Sequence, residues 1–419
     1  MKILKIYFTI LLVLFAIPVM VLSQSRQQKV IFVIADGIPA DVIELAPKPN
    51  IEKIIQSGFY KRAFVGGTKG GYNQTPTISA PGYNNLLTGT WANKHHVVNN
   101  SITAPNYHYW TIFRYFKNQY PSKKTAIFST WKDNRTKLVG EGLNETGGYQ
   151  VDYVFDGYEF DTLQFPHDKM GTYIYRIDQL VVDKADSTIR SVAPDLSWIY
   201  LEYTDEMGHR FGDGDSLKQA VRYLDEQMGR VWNAIEYRKK NFAEDWLIII
   251  TTDHGREPKF GKNHGGQSDR ERTTWIVSNY SKPNQYLKQT NPAIVDILPS
   301  ITQYLKIIIP PTNKSELDGV SFIDPVSISS AQATINNDSL QISWKSFELK
   351  GSVNIQISST NEFKNGGIDQ YHQIAVVPLA DQHFVIPLSS LSSGYCKVLL
   401  VGKLNSVNTE ININAKNNR

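Results

Sequence analysis

Four short apolar runs constrain the fold of this chain more than any other feature. They are rich in β-branched residues and each ends in polar side chains: KVIFVIADG (29 to 37), KTAIFSTW (124 to 131), LSWIYLEYTD (196 to 205) and WLIIITTDHG (246 to 255). Between the last two, residues 215 to 241 carry apolar side chains every three or four positions, as an amphipathic helix does. Apolar strands that alternate with such helices predict an α/β fold with a mostly parallel sheet flanked by helices.

Acidic and imidazole side chains collect where these runs end. Three runs end at or near an aspartate, and parallel sheets gather functional groups beyond the carboxyl ends of their strands. Carboxylate oxygens combined with imidazoles suit zinc, manganese or iron. The pattern therefore predicts two metal sites with three ligands each. The candidate ligands are Asp36, Asp205, His209, Asp253, His254 and His264.

The first 23 residues have the layout of a secretory signal peptide. Lys2 and Lys5 precede an apolar run from Ile6 to Leu22, and the small Ser23 follows it. We therefore expect a secreted or periplasmic protein, with an uncleaved membrane anchor as the alternative. No later run has the roughly 18 uninterrupted apolar residues of a membrane span, so we expect no stable span after signal cleavage.

Charge and cysteine content limit the partners that this chain can bind and the interactions that can stabilise it. The 44 basic and 40 acidic residues give a net charge of +4 without a long block of one sign, so we expect no nucleic-acid polymer as a partner. The one cysteine, Cys396, allows no intramolecular disulfide. An exported chain of this kind must be stabilised by its core and by any metal that it binds.

The pattern changes near residue 328. Segments such as SLQISWKSF and VNIQISS alternate apolar and polar residues, and clusters of Asn, Gly and Ser separate them. This predicts a small all-β sandwich similar to fibronectin type III modules, with Trp344 in its core. The expected organisation is a signal peptide (1–23), an α/β catalytic domain (24–327) and a C-terminal sandwich (328–419). The sandwich is a candidate for contact with glycan or the cell surface, or else a passive spacer.

Five segments together resemble a known family. They occur in the order VIFVIADGI, PTISAPGYNNLLTG, YTDEMGHRFG, IITTDHGR and KNHGG. In their order and residue types they resemble the alkaline phosphatase superfamily, and within it the type I phosphodiesterase/nucleotide pyrophosphatase branch. The resemblance covers roughly residues 28 to 325, and it implies an alkaline phosphatase-like fold and a metal-dependent phosphoester hydrolase.

The resemblance also implies roles for individual residues. Ser79 occupies the nucleophile position of the pattern P-T-x-[T/S]-x-P, where phosphodiesterases usually carry threonine. Asn100 matches an asparagine that binds a phosphoryl oxygen, with Asn99 as the neighbouring alternative. One Zn²⁺ would be bound by Asp205, His209 and His264. The second would be bound by Asp36, Asp253 and His254, with the Ser79 oxygen as an additional ligand.

The implied reaction is hydrolysis of a small-molecule phosphoester through a phosphoseryl intermediate, most simply of a diester. A phosphomonoesterase is the main alternative, because Lys132, Arg135, Lys137 or Lys169 could complement the additional charge of a monoester. A sulfatase would need arginine where Tyr83 stands. A catalytically inactive binding protein is the third alternative, and divalent ions other than zinc remain open.

Overall fold

The computed structural model describes residues 26 to 391 and 394 to 413. The expected signal peptide (1–23) lies outside the described residues. The strands are β1 (Gln27–Ala35), β2 (Phe59–Phe64), β3 (Thr125–Ser129), β4 (Tyr153–Phe155), β5 (Leu196–Leu201), β6 (Glu244–Thr251), β7 (Thr273–Ser278), β8 (Ile328–Asn336), β9 (Ser339–Ser346), β10 (Ser352–Ser358), β11 (His372–Pro378), β12 (His383–Pro387), β13 (Tyr395–Val401) and β14 (Ser406–Asn412). The α-helices are α1 (Ala40–Leu45), α2 (Pro49–Ser57), α3 (Ser79–Thr88), α4 (Ala92–His95), α5 (Ile112–Gln119), α6 (Thr172–Ser191), α7 (Tyr203–Phe211), α8 (Asp215–Asn241), α9 (Asp269–Arg272), α10 (Gln285–Gln289), α11 (Ile297–Tyr304) and α12 (Pro311–Lys314).

The first seven strands form one sheet in the order β2-β7-β6-β1-β5-β3-β4. The central strand β1 is parallel to β5 on one side and to β6 on the other, and β3 is parallel to β5 and β4. The strands β7 and β2 are antiparallel to their neighbours at one edge. The prediction of a mostly parallel sheet is confirmed, and the predicted helix over 215–241 is α8.

Both faces of this sheet are covered. Along β1 the side chains of Phe32 and Ile34 join one apolar cluster, whereas those of Ile31 and Val33 join a second cluster on the opposite face. All four side chains are fully buried. A strand buried on both faces must be apolar at every position, which explains why the run lacks polar alternation.

One of the predicted strand ends is wrong. Strand β5 stops at Leu201, and Asp205 lies inside helix α7 rather than at the end of the strand. The helix begins there because Asp178 accepts hydrogen bonds from the backbone N–H groups of Glu202 (3.2 Å) and Tyr203 (3.0 Å), which a helix N-terminus leaves without intrahelical partners. Asp205 and His209 consequently lie one helical turn apart on the same face.

The C-terminal strands form two antiparallel sheets, with the orders β11-β10-β13-β14 and β12-β9-β8. Trp344 is buried between them as predicted, and its indole Nε1 donates to the carbonyl of Leu379 at 3.0 Å. The apolar cluster that contains Phe32 continues through Phe322 and Ile328 into this region. The expectation of an α/β fold followed by an all-β sandwich is confirmed. In the described ranges, no helix is long and apolar enough to cross a membrane.

Buried charges join the two parts of the chain. Lys94 on α4 is 2% exposed, and its Nζ donates to Asp318 Oδ1 (2.6 Å), to the Glu316 carbonyl (2.8 Å) and to Asn408 Oδ1 on β14 (2.8 Å). Lys397 on β13 is also buried, and its Nζ lies 2.5 Å from Glu316 Oε1. Each lysine therefore bridges the α/β part and the sandwich.

We expect Lys94→Met to lower the free energy of unfolding by about 3–5 kcal/mol, because it leaves the buried Asp318 carboxylate without its cation. Guanidinium unfolding followed by tryptophan fluorescence measures the change. The exposed Lys69 supplies the control variant Lys69→Met. If Lys94→Met lowered the free energy of unfolding no more than Lys69→Met does, the expected contribution of the buried Lys94–Asp318 ion pair would be contradicted.

Candidate active site and metal centre

Asp205, His209 and His264 form the first cluster of candidate metal ligands. Helix α7 supplies the first two, and Asp205 Oδ2 lies 3.2 Å from His209 Nε2. The loop after β6 supplies His264, whose Nε2 lies 3.0 Å from His209 Nε2 and 3.9 Å from Asp205 Oδ1. His209 is exposed, so this cluster is open to solvent on one side.

Asp36, Asp253 and His254 form the second cluster, and all three are buried. His254 Nε2 lies 3.2 Å from Asp253 Oδ2 and 3.4 Å from Asp36 Oδ1. Within the described ranges these three atoms have no hydrogen-bond partner. Buried polar atoms nearly always have a partner, and a buried charge needs a counter-charge or a metal. The donor set of this cluster therefore fits a bound cation.

The two clusters are neighbours. The rings of His254 and His264 stack with centroids 3.7 Å apart and an interplanar angle of 16°. Each imidazole also has its other nitrogen next to a backbone carbonyl: His254 Nδ1 lies 2.9 Å from Gly255 O, and His264 Nδ1 lies 3.0 Å from Thr77 O. Donation from Nδ1–H to these carbonyls leaves the Nε2 lone pair free for a metal.

Tyrosine and backbone groups hold one oxygen of each carboxylate in the buried cluster. Asp36 Oδ2 accepts hydrogen bonds from the hydroxyls of Tyr83 and Tyr200, the latter at 2.8 Å. Asp253 Oδ1 accepts one from the Gly37 N–H at 3.1 Å. The second oxygen of each carboxylate is left facing His254 Nε2. Hydrogen bonds to the outer atoms of ligands fix their orientation in this way.

Arg256 holds the third carboxylate. Its buried guanidinium donates to Asp205 Oδ1, and also to the carbonyls of Asp205 (2.7 Å) and Gly37 (2.9 Å). Sequence reasoning assigned Arg256 no role. The available signal was its position two residues after His254, where a cation would neighbour several acids.

Two glycines make this close approach possible. Gly37 has a φ of +67°, and a Cβ there would lie 2.2 Å from Asp205 Oδ1. A Cβ on Gly208 would lie 2.1 Å from the guanidinium carbon of Arg256. Any side chain at either position would displace the contact between Arg256 and Asp205.

The clustered carboxylates shift one another's ionisation. Burial and the nearby charge of Asp205 raise the pKa of Asp36 to about 7. Burial and the charge of Asp36 also raise the pKa of Asp253 well above its usual range. Burial opposes ionisation of Asp205 as well, but its contacts with His209 and Arg256 lower its pKa overall. The three carboxylates thus cannot all ionise favourably unless a cation is bound.

The structure distinguishes the hydroxyls of Thr75, Thr77 and Ser79, which lie close together in the sequence. The Thr75 hydroxyl accepts the N–H of Ala92 (3.0 Å), and the Thr77 hydroxyl donates to the Gly266 carbonyl (2.8 Å). Ser79 is the first residue of α3, and among the described residues its hydroxyl has no hydrogen-bond partner. Of these three residues, Ser79 is therefore the one whose hydroxyl makes no hydrogen bond to another described residue.

Residues on both sides of Ser79 contact the two clusters. Before it, the Thr77 carbonyl accepts from His264. After it, Tyr83 bonds Asp36, and a Cβ on Gly82 would lie 2.8 Å from Asp253 Cβ. The start of α3 therefore lies at the junction of the two clusters.

Asn100 lies next to Ser79, whereas Asn99 is engaged elsewhere. The Oδ1 of Asn100 accepts a hydrogen bond from the Ala80 N–H at 3.0 Å. The Oδ1 of Asn99 accepts from the Ser101 N–H at 3.0 Å, as in a turn. The Nδ2 group of the exposed Asn100 is left to donate to a ligand at the start of α3.

The family model for type I phosphodiesterase/nucleotide pyrophosphatase matches residues 30–270, which is more than half of the chain. The chain belongs to this family. Among its curated relatives is a bis(5'-adenosyl)-triphosphatase, enpp4, of Xenopus laevis, which is 23% identical over 241 residues that cover 56% of this chain and 48% of the relative. The human ectonucleotide pyrophosphatase/phosphodiesterase family member 5 is 25% identical over 238 residues, covering 55% of this chain and 46% of the relative. The chain therefore spans about half the length of these relatives.

Solved structures are also similar to this chain. The structure of Ps i-CgsB in complex with a neocarrahexaose aligns with a TM-score of 0.50 and 14% identity, covering 77% of this chain and 86% of that one. A protein of the alkaline phosphatase superfamily from Vibrio parahaemolyticus aligns with a TM-score of 0.49 and 12% identity, covering 77% and 78%. At these identities the likeness concerns the fold alone.

We expect Asp253→Asn to raise the melting temperature of the metal-free protein, because it removes one of three mutually repelling buried carboxylates while keeping the acceptor for Gly37 N–H. If the cluster binds a cation, the same change should also reduce the rise in melting temperature when Zn²⁺ is added. Calorimetry with a chelator and then with added Zn²⁺ measures both effects, with the exposed Asp269→Asn as the control. A lower melting temperature in chelator would contradict this account.

Proposed function

We propose that the chain is an exported, zinc-dependent phosphodiesterase or nucleotide pyrophosphatase that acts through a phosphoseryl intermediate on Ser79. The observation that supports this most is the convergence of two three-residue clusters on the start of α3, where the uncommitted Ser79 hydroxyl lies. Membership of the phosphodiesterase family points to the same chemistry.

Zinc is the proposed metal because each cluster combines carboxylate and imidazole donors and offers three protein ligands, which leaves a position open for a substrate oxygen. Asp205, His209 and His264 would hold one ion, and Asp36, Asp253 and His254 the other, with Ser79 Oγ as an additional ligand. When bound, the two ions would neutralise phosphoryl charge, promote ionisation of the attacking hydroxyl and stabilise the leaving oxygen. Manganese and iron use the same donors.

Ser79 is the proposed nucleophile. Its Oγ would form a bond to phosphorus in line with the leaving oxygen and lose its proton, and the bond between phosphorus and the leaving oxygen would break. Water would then attack the phosphoseryl ester and release the second product, regenerating the Ser79 hydroxyl. Because each displacement inverts phosphorus, the two together predict overall retention.

Two features of the chain would stabilise the negative charge that develops on the phosphoryl oxygens. The start of α3 presents backbone N–H groups and the positive end of its helix dipole. Asn100 is fixed through Oδ1 by the Ala80 N–H, so its Nδ2 can donate to a phosphoryl oxygen. Asn100 would thus orient the substrate rather than move a proton.

The pairing of two of the four candidate cations supports a diester over a monoester substrate. Arg135 is bound by the carboxylates of Asp156 and Glu141, and Lys137 by that of Asp133. The buried Arg256 is committed to Asp205 and to backbone carbonyls. Arg135, Lys137 and Arg256 are therefore already engaged, which leaves Lys132 and Lys169 as the candidate cations without an ion pair among the described residues.

The remaining assignments follow from the sequence. Export to the periplasm or the exterior rests on the N-terminal residues 1–23, and a small-molecule phosphoester is the proposed substrate. The catalytic domain would occupy residues 24–327. The sandwich from 328 to 419 is proposed as a passive spacer, with contact to glycan or the cell surface as the alternative.

We expect Ser79→Ala to lower kcat/KM for a bis-aryl phosphate by roughly 10³-fold or more, since the covalent step would be lost. Steady-state kinetics of the zinc-loaded protein test this, with the exposed Ser101→Ala as the control. Full activity in Ser79→Ala combined with loss in Thr77→Ala would assign the nucleophile to Thr77.

For the wild type we expect a higher kcat/KM with a bis-aryl phosphate than with the corresponding mono-aryl phosphate, because the ion pairs of Arg135 and Lys137 leave less positive charge to complement the second negative charge of the monoester. The ratio of the two constants is the measurement. A large preference for the monoester would favour a phosphomonoesterase instead.

A further inference from the structure

Three buried oxygens form a closed triangle behind the second cluster of ligands. Tyr83 and Tyr200 both donate to Asp36 Oδ2, and their hydroxyl oxygens lie 2.8 Å from each other. The two tyrosines and Asp36 are each at most 2% exposed. The sequence motifs include Tyr83 in the nucleophile segment but assign neither tyrosine a contact with Asp36.

We infer that Tyr83 is a positioning residue that, together with Tyr200, makes Asp36 a one-oxygen metal ligand and fixes the start of α3 against the second cluster. The asymmetry of the carboxylate carries this inference: Oδ2 accepts two hydroxyls, whereas Oδ1 has no hydrogen-bond partner in the described ranges and lies 3.4 Å from His254 Nε2. Turning Oδ2 toward a metal would break two buried hydrogen bonds, each costly to leave unmade.

The position of Tyr83 on α3 gives the contact a second consequence. Tyr83 follows Ser79 by four residues, so the two side chains lie one turn apart on the same face of the helix. The contact between Tyr83 and Asp36 therefore sets how far Ser79 lies from the second cluster. Tyr200 comes from β5 and holds the same carboxylate from the sheet.

Packing allows the hydroxyl to be removed without disturbing the ring. The Tyr83 ring lies 4.9 Å from the Tyr200 ring and 6.2 Å from the Trp131 ring, centroid to centroid. Its surroundings thus hold the aromatic group independently of the hydrogen bond. Tyr83→Phe should fold normally and remove only the donor to Asp36.

The inference rests on the metal-binding part of the proposed function and not on the hydrolysis. The experiment measures the two Zn²⁺ dissociation constants of the full chain by competition with a chromogenic zinc chelator. We expect Tyr83→Phe to weaken one of the two by about 10–100-fold and to leave the other unchanged, as found when outer partners of metal ligands are removed. Tyr200→Phe should act in the same direction, and the double variant should exceed either single one.

The control is Tyr109→Phe, because Tyr109 is a buried tyrosine whose hydroxyl has no partner among the described residues. A second readout is the rise in melting temperature on adding Zn²⁺, which should shrink in Tyr83→Phe but not in Tyr109→Phe.

The inference would be overturned if Tyr83→Phe bound zinc with wild-type affinities. It would also be overturned if Tyr83→Phe and the control Tyr109→Phe lost zinc affinity equally. A wild-type protein that binds fewer than two Zn²⁺ would overturn both this inference and the proposed metal content. Weakened zinc binding in Tyr83→Phe, in a protein that hydrolyses no phosphoester, would support the inference and contradict the proposed hydrolysis.

Discussion

The site depends on how the protein holds three buried carboxylates close together. Each has one oxygen bound by a protein donor: Asp36 by two tyrosines, Asp253 by a backbone N–H and Asp205 by Arg256. The other oxygens are left to face imidazole nitrogens. Burying like charges side by side is unfavourable by several kcal/mol per ion unless a counter-charge is present. The surrounding fold must therefore tolerate this cost in the metal-free protein.

Sheet topology brings these residues together from distant parts of the chain. The strands β6, β1 and β5 are adjacent and parallel, so the loops after them meet at one edge of the sheet. Ile34 pairs with Thr251, which places Asp36 and Asp253 side by side just beyond the strands. Helix α7 follows β5 on the other side of β1 and brings Asp205 and His209 to the same edge.

The sequence predicted the framework of this arrangement better than its contacts. Long apolar runs and the regular spacing of 215–241 identified the central strands and α8. A strand buried on both faces is apolar throughout, whereas a helix buried on one face has apolar residues every three or four positions. The prediction failed at Asp205, which lies four residues beyond the last strand residue Leu201, because the hydrogen bonds from Glu202 and Tyr203 to the distant Asp178 leave no local signal of the helix start. The assignment of Ser79 as nucleophile came from family resemblance, since the hydrogen bonds that engage Thr75 and Thr77 involve residues distant in sequence.

The same limit applies to the residues behind the ligands. Tyr83, Tyr200 and Arg256 contact acids that are 47, 164 and 51 positions away, respectively. No short motif encodes such pairings, and each residue alone reads as an ordinary core side chain or charge.

The apolar cluster that runs from the sheet through Phe322 and Ile328 into the sandwich has a consequence for engineering and for evolution. A module that shares its interior with its neighbour cannot be exchanged as a unit, because a replacement would have to reproduce the buried surface and the lysine bridges together. The C-terminal strands are therefore expected to have diverged together with the α/β part rather than by shuffling.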